Sequence, residues 1–228
     1  GSLNTLAKAA TAAGVRSSFC YEVSDRDGTK SLEAGMAENV EFANQVNSNG
    51  NMLRGMFGLH ASMTVTQPTL ERSVAMAREA DIGIHVHAAE DVSDQDDSLK
   101  KYGKRVVQRY QDAGALGPKT ILAHCIHVDE TERKLLKDSG TFVAHNPESN
   151  MNNAVGAADI LGMLDEGIRV GLGTDGMTSN MIEEARIAML LQRQIKGDPT
   201  IAFGEAVDML VRNNAAFASE QFGTKLGT

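Results

Sequence analysis

The sequence predicts an α/β fold: an incomplete TIM-type (βα)8 barrel that comprises strands three to eight with their helices. Apolar, β-branched runs alternate with helix-length segments along the 228 residues, which is typical of parallel strands joined by right-handed crossovers. Four of these runs end on a histidine or aspartate before a polar loop, as barrel strands do where they build an active site. No glycine-rich phosphate loop follows the first strand, which argues against an open doubly wound sheet.

Periodicity and end signals define the elements in the first part of the chain. Gly14 lies where a helix of small residues is expected to stop, and Leu32, Met36 and Val40 repeat on one stripe of the next helix. In order, the predicted elements are a helix over 3–13, a strand over 17–23, a helix over 31–47, a strand over 52–59 and a helix over 67–80.

The second part of the chain continues the alternation. Asp129 is an N-cap candidate, with Glu132 at the spacing of a capping box. In order, the predicted elements are a strand from 82, a long polar helix over 92–113, a strand from 120, a helix over 129–139, a strand from 141, a helix over 157–166, a strand from 169 and helices over 181–194 and 205–222.

The strand count bounds the architecture. These elements include six strands, whereas a closed barrel needs eight strands and about 250 residues. We therefore expect two leading βα units to be missing. Residues 1–228 are expected to form a single partial domain of a metal-dependent hydrolase barrel.

The composition limits the classes of partner that the protein is expected to bind. The net charge of −8 and the lack of a Lys/Arg stripe disfavour nucleic acid as a partner. No window approaches the roughly 20 apolar residues of a membrane span, and the first residues lack the layout of a secretory signal. We expect a cytoplasmic protein with no membrane partner, in which Cys20 and Cys125 are reduced. The open edges of a six-strand sheet favour self-association into a homo-oligomer or pairing with the missing segment.

The side chains that carry chemistry lie at strand ends. His87 ends one strand with Glu90 three residues on, and His124 and Asp175 end two others. A neutral imidazole that binds a metal beside a carboxylate that moves protons is an arrangement that activates water. Imidazole and carboxylate donors together suit zinc or iron(II). A single histidine at a strand end is more often structural, but the four residues together favour the functional interpretation.

Two further histidines are candidates for substrate binding, each with a structural alternative. His60 ends a strand and either contacts substrate or supports the loop that follows. His145 precedes Asn146 and Pro147, so it either contacts substrate or braces that loop. His85 shares a strand face with His87 and is expected to lie one layer deeper, in a packing or supporting role.

Five ordered segments together resemble the amidohydrolase superfamily. They are Gly58-Leu59-His60-Ala61, His87-Ala88-Ala89-Glu90, Ala123-His124-Cys125, His145-Asn146-Pro147-Glu148-Ser149-Asn150 and Gly173-Thr174-Asp175-Gly176. In sequence, these segments are similar to the branch of the superfamily that contains cytosine deaminases and triazine chlorohydrolases. Within that branch, Cys20-Tyr21-Glu22-Val23-Ser24-Asp25 most resembles the aminohydrolases called SsnA.

The resemblance implies a site and a reaction. It implies one divalent metal ion, zinc or iron(II), with His87, His124 and Asp175 as the ligand set. Within that set, His124 is a ligand in binuclear relatives and otherwise stabilises the metal-bound hydroxide and the charge that develops on the substrate. Glu90 is then the proton shuttle, His124 and Asp175 are the other catalytic residues, and His60 touches the substrate. The implied reaction adds water to an amidine-like carbon of a small heterocycle and releases ammonia, which is hydrolysis of a C–N bond other than a peptide bond.

The sequence also departs from the family. The first barrel strand of these proteins ends in a His-x-His pair that supplies two more ligands, and no such pair precedes residue 17. The pair His85 and His87 cannot be it, because His124 and His145 would then be the fifth and sixth strand ends. The 37 residues from His87 to His124 cannot hold three intervening βα units of about 30 residues each. We therefore expect this chain alone to bind metal weakly and to be inactive, with the activity carried by the full-length protein.

The alternative is a non-catalytic scaffold with an amidohydrolase-like barrel. The presence of Glu90, His124 and Asp175 together argues against it, because a scaffold has no packing reason to keep buried charge. Glu22, Arg26 and residues 149–153 are expected to select the substrate ring, whose identity the sequence leaves open.

Overall fold

Short parallel strands and helices alternate along the computed structural model, which describes residues 1–48 and 52–226. The strands are β1 (Ser17–Phe19), β2 (Leu53–Gly55), β3 (Phe57–Ala61), β4 (Ile84–Ala88), β5 (Ile121–His124), β6 (Phe142–His145) and β7 (Arg169–Leu172). The helices are α1 (Ser2–Ala13), α2 (Gly28–Asn47), α3 (Gln67–Glu79), α4 (Val92–Tyr102), α5 (Val106–Ala113), α6 (Glu130–Ser139), α7 (Pro147–Asn152), α8 (Ile160–Asp165), α9 (Met181–Lys196), α10 (Phe203–Asp208) and α11 (Asn214–Phe222). The predicted α/β class and strand order are confirmed.

The strands are parallel and follow one another in chain order. β3 to β7 form a five-stranded sheet, and β1 pairs with β2. The predicted strand over 52–59 is divided at Met56, whose N–H donates to Phe19, whereas the next N–H, of Phe57, donates to Gly83. The continuous segment over 53–61 therefore pairs with β1 before Met56 and with β4 after it. The predicted strand over 17–23 ends early at Phe19, but Val23 rejoins the sheet through a parallel bridge to Leu59.

Pairing in register aligns the core across the sheet. Val86, Leu122, Val143 and Val170 are successive partners on β4 to β7, and all four are buried. Because side chains alternate along a strand, their neighbours point to the opposite face, where His85, His87, Ile121 and Ala123 line a cavity. The sheet thus has an apolar face in the core and a second face that bounds a cavity.

Helix ends follow local chemistry. Asp129 and Glu132 form the predicted capping box at the start of α6, and Gly14 ends α1 in the left-handed region at φ 68°. The single helix predicted over 92–113 was wrong. Gly103 ends α4 at φ 67°, and Gln95 Oε1 accepts the N–H of Val106 at 3.0 Å where α5 begins.

Three other boundaries differ from the sequence prediction. No helix is predicted between the strand from 141 and the helix over 157–166, whereas α7 spans Pro147–Asn152 with proline in its first turn. The predicted helix over 157–166 begins later, at Ile160. The last predicted helix is α10 and α11 joined by a π-helical turn over Met209–Asn213.

Two apolar clusters divide the described core. The larger joins β3 to β7 to the helices that follow them. The smaller packs α1 and α2 on β2 through Leu3, Ala7, Phe42, Val46 and Leu53. Among the helices of the described ranges, none is long and apolar enough to cross a bilayer.

A buried carboxylate ties three helices together. Glu132 of α6 is 1% exposed. Its Oε2 accepts from Arg105 Nε at 2.7 Å, and its Oε1 accepts from the backbone N–H of Val107 at 2.9 Å and from Gln95 Nε2 at 3.2 Å. All three partners donate to the carboxylate of Glu132. A glutamine in this place would turn its NH2 group towards some of these N–H donors, and an NH2 group cannot accept from them.

We expect Glu132→Gln to lower the free energy of unfolding by about 3 kcal/mol, since it removes one partner of a buried, hydrogen-bonded charge. Denaturant unfolding followed by circular dichroism measures this value. Glu130→Gln, on the same helix but at an exposed position, is the control and should change stability by less than about 0.5 kcal/mol. Equal stability of the two variants would contradict the role assigned to Glu132.

Candidate metal centre

The carboxyl ends of β4, β5 and β7 bring the predicted side chains to one edge of the sheet. A cavity of about 480 Å³ opens there, with His85, His87 and Asp175 in its lining together with apolar side chains of β5 and β6. In parallel barrels this is the edge at which reactive groups collect.

Three histidine rings lie side by side across this edge. The centroids of the His60 and His87 rings are 5.5 Å apart, and those of His87 and His124 are 5.2 Å apart, nearly edge to face. His124 is fully buried. The fold therefore brings together imidazoles from three different strands, β3, β4 and β5.

Two carboxylates lie near Nε2, one of the two ring nitrogens of His124. Its Nε2 lies 3.6 Å from Glu90 Oε2 and 3.9 Å from Asp175 Oδ2. These distances exceed a hydrogen bond, and Nε2 has no hydrogen-bond partner among the described residues although it is buried. An orphaned buried nitrogen requires an explanation such as an ion.

The donor set fits a metal ion. One ligand atom from each of His87, Glu90 and His124 lies within 4.8 Å of the others. Asp175 is outside that group of three but borders it through His124. Imidazole nitrogens and carboxylate oxygens are the donors that zinc and iron(II) accept, so a divalent ion fits these side chains.

Backbone strain marks the same strand ends. Ala89, between His87 and Glu90, has φ 49°, His124 has φ 72° and Asp175 has φ 50°. A non-glycine residue in this region costs on the order of 1–3 kcal/mol and persists only where its surroundings fix it. These turns hold one another, since the N–H of Cys125 donates to Ala88 and that of Ile126 donates to Ala89.

An acidic side chain from α4 also fixes the turn after β4. Asp94 Oδ2 accepts the N–H of Ala89 at 2.8 Å. Burial raises the pKa of Asp94 to about 6, against the opposing effect of this hydrogen bond. The sequence analysis did not identify Asp94, because only the fold brings its carboxylate to the turn.

Burial also sets the protonation of the site. It lowers the pKa of His87, and nearby His124 lowers it further. Burial lowers the pKa of His85 to about 4, and the Nδ1 of His85 contacts Cys20 Sγ at 3.8 Å, below the edge. Both imidazoles are thus neutral near pH 7, as a metal ligand must be.

Asp175 is held in its ionised form. Burial alone would raise the pKa of its carboxyl group, but the hydrogen bond from Ser149 and the neighbouring His124 outweigh burial, so the pKa lies below its usual value. Ser149 Oγ donates to Asp175 Oδ2 at 2.5 Å. An ionised Asp175 is available both as a ligand and as a proton acceptor.

His60 lies at the mouth of the site beside two residues predicted to select the substrate. Its Nε2 is 3.9 Å from Glu22 Oε1, and the same oxygen is 3.5 Å from Arg26. The Nδ1 of His60 contacts Thr64 Oγ1 at 2.6 Å, a partner the sequence analysis missed. His60, Glu22 and Arg26 therefore form one group at the rim.

His145 differs from the other predicted site residues. It is fully buried, and neither ring nitrogen has a hydrogen-bond partner among the described residues. The cavity is lined by its neighbours Ala144 and Asn146 rather than by His145. The structure thus does not bring His145 to the group formed by His87, Glu90 and His124.

The parallel βα units form part of a barrel, with imidazoles and carboxylates gathered at the carboxyl ends of its strands. The chain belongs to the amidohydrolase family, whose sequence model matches residues 2–224. The resemblance found in the sequence is thereby confirmed at the level of the family.

Named relatives match along most of the chain. It is 35% identical over 204 residues to a 5-methylthioadenosine/S-adenosylhomocysteine deaminase of Desulforudis audaxviator, covering 87% of this chain and 47% of the relative. It is 31% identical to a 5'-deoxyadenosine deaminase of Methanopyrus kandleri, covering 97% of this chain and 53% of the relative. The chain thus spans about half the length of these curated relatives.

Solved structures share the fold. A zinc-bound adenosine deaminase from Xanthomonas campestris superposes with a TM-score of 0.81 at 25% identity, covering 94% of this chain and 49% of that chain. A guanine deaminase of E. coli gives a TM-score of 0.82 at 22% identity, covering 98% of this chain and 52% of that chain. Coverage of about half of each neighbour confirms the expected incomplete barrel.

The burial of His145 generates a prediction about pH. Burial, with a smaller effect of His124, lowers its pKa to about 3, whereas an unfolded chain restores about 6.5. As the pH falls from 6.5 towards 3, the unfolded chain gains a proton that the folded chain does not bind, so stability declines. Leucine in this place takes up no proton. As the pH falls from about 7.5 to about 5, the free energy of unfolding of His145→Leu should therefore rise by about 2 kcal/mol relative to that of the wild type. A difference in unfolding free energy that does not change with pH would contradict the neutral, buried state.

Proposed function

We propose that this chain is about half of a metal-dependent aminohydrolase that deaminates a small aminated heterocycle, and that it contributes part of the metal site. The observation that carries the proposal is the convergence of His87, Glu90 and His124 within 4.8 Å, with Asp175 Oδ2 a further 3.9 Å from His124. Residues 1–228 are taken as one domain of that enzyme. The activity is assigned to the full-length protein.

The proposed metal ligands are His87, His124 and Asp175, with zinc or iron(II) as the ion. Bound there, the ion would supply the Lewis acidity that makes water nucleophilic near neutral pH. His87 presents a neutral imidazole because burial lowers its pKa. Asp175 presents an ionised carboxylate that takes a proton from the attacking water.

Glu90 is the proposed proton shuttle. Its carboxylate is 27% exposed, so it borders both the buried His124 and the cavity. From that position it carries one proton of the attacking water to a ring nitrogen of the substrate. The proton that Asp175 takes then passes to the amino nitrogen, so that the C–N bond breaks and ammonia leaves. General acid–base catalysis of this kind accelerates a reaction by about 10²–10⁴-fold.

The substrate class rests on the relatives and on the rim. The curated relatives quoted above are named for deamination of 5-methylthioadenosine, S-adenosylhomocysteine and 5'-deoxyadenosine, which supports an aminated purine nucleoside. His60 is assigned to substrate contact, with Glu22 beside it. His145 is kept as a weaker candidate for substrate binding, through its neighbour Asn146 in the cavity wall.

We expect Glu90→Gln in the full-length protein to lower kcat at least about 100-fold, because an amide cannot carry the proton. Ammonia release from a panel of aminated purines, pyrimidines and triazines is the readout. Glu79→Gln is the matched control, since Glu79 is exposed on α3. Absence of ammonia from every compound would favour a non-catalytic scaffold, and full activity of Glu90→Gln would overturn the role of Glu90.

Removal of a ligand should appear directly in metal binding. We expect His87→Ala to weaken zinc binding by the full-length protein more than about 100-fold, since loss of a supporting residue alone costs about 10–100-fold. Calorimetric titration of the metal-free protein with zinc measures the affinity. His127→Ala is the control, because His127 Nε2 is engaged with the Val155 carbonyl. Unchanged affinity in His87→Ala would exclude His87 as a ligand.

A further inference from the structure

One short segment contacts three of the proposed site residues. Ser149 Oγ donates to Asp175 at the end of β7. Asn150 Oδ1 lies 2.7 Å from Nδ1 of His124 at the end of β5. The third contact comes from Asn153, whose Nδ2 donates to Glu90 Oε1 at 3.1 Å. Residues 149–153 were expected to select the substrate ring, but these side chains face other protein groups.

The segment is itself held rigidly. Ser149 and Asn150 are buried within α7, and α7 is anchored by Glu184 of α9, whose Oε2 accepts the N–H of Glu148 at 3.3 Å. Glu184 is fully buried. The side chains of serine and asparagine have two or fewer rotatable bonds. On a fixed helix they hold a partner group more precisely than side chains on a loop do.

The contact between Asn150 and His124 determines the position of a proton. Because an amide oxygen only accepts, the orientation of Asn150 that places Oδ1 against Nδ1 assigns the ring hydrogen of His124 to Nδ1. A neutral imidazole has one such hydrogen, and Nε2 is then left with a lone pair. That lone pair points into the site, where Nε2 has no partner among the described residues.

We propose that residues 149–153 are positioning residues for the site, and that Asn150 sets the tautomer of His124 by keeping its proton on Nδ1. Without that acceptor, the proton would move to Nε2, because Nε2 faces the carboxylates of Glu90 at 3.6 Å and Asp175 at 3.9 Å. Nε2 would then be a donor and could not be a ligand. Asn150 is thus required for His124 to bind a metal.

The inference about metal binding rests on the proposed function, whereas the tautomer does not. Long-range ¹H–¹⁵N spectra of the metal-free protein distinguish a protonated from an unprotonated ring nitrogen, and loss of a signal in His124→Gln assigns it. We expect Nδ1 protonated in wild type and in Asn150→Asp, which keeps an acceptor. In Asn150→Leu we expect the proton on Nε2 and zinc affinity lower by about 10–100-fold.

Met151→Gln is the matched control, because Met151 is exposed on the same helix and its variant should leave the His124 signals unchanged. Rescue by Asn150→Asp separates positioning from a general loss of folding, which circular dichroism monitors in parallel. A wild-type spectrum with the proton on Nε2, or an unaltered spectrum in Asn150→Leu, would overturn the proposal. Either result leaves the ammonia-release test of the proposed function unaffected.

Discussion

The in-register parallel pairing of β4 to β7 is the constraint on which the rest of the structure depends. Val86, Leu122, Val143 and Val170 lie in one row across four strands. Because this row is aligned, the carboxyl ends of the strands reach one edge together. A shift of one residue would turn every side chain to the opposite face, and His87 and its partners would point into the apolar core rather than into the cavity.

The aligned strand ends are useful only if their turns hold side chains in place. Ala89, His124 and Asp175 all adopt positive φ, which removes them from the alternation of their strands. His124 thereby becomes fully buried while its Nε2 remains within 4 Å of two carboxylates. The strain is sustained by hydrogen bonds between neighbouring turns and by Asp94 of α4, so the site depends on the helices as much as on the strands.

The fold and the convergence of His87, Glu90 and His124 were predictable from the sequence, because strand periodicity, helix caps and histidines at strand ends are local signals. The capping box at Asp129 and the family resemblance were confirmed. The break at Gly103 and the helix that begins at Pro147 were missed although glycine and proline are local signals of a helix end and a helix start. Sequence reasoning selected Glu90 and His124 but not Asn150, because Asn150 lies on α7 and only the fold brings it to His124 at the end of β5. The assignment of His145 to substrate remains a prediction.

Charge in the centre explains why these parts belong together. Burial keeps the His87 imidazole neutral, and hydrogen bonding keeps Asp175 ionised. If the proton of His124 is on Nδ1, the lone pair of Nε2 faces the oxygens of Glu90 and Asp175, which is a repulsive arrangement. Repulsion among lone pairs in a buried site is relieved by a cation that all of them can contact. The hydrogen bonds that α7 makes to Asp175 and His124 thus shape a centre whose electrostatics favour a divalent ion, and this preference exists before any substrate enters the cavity.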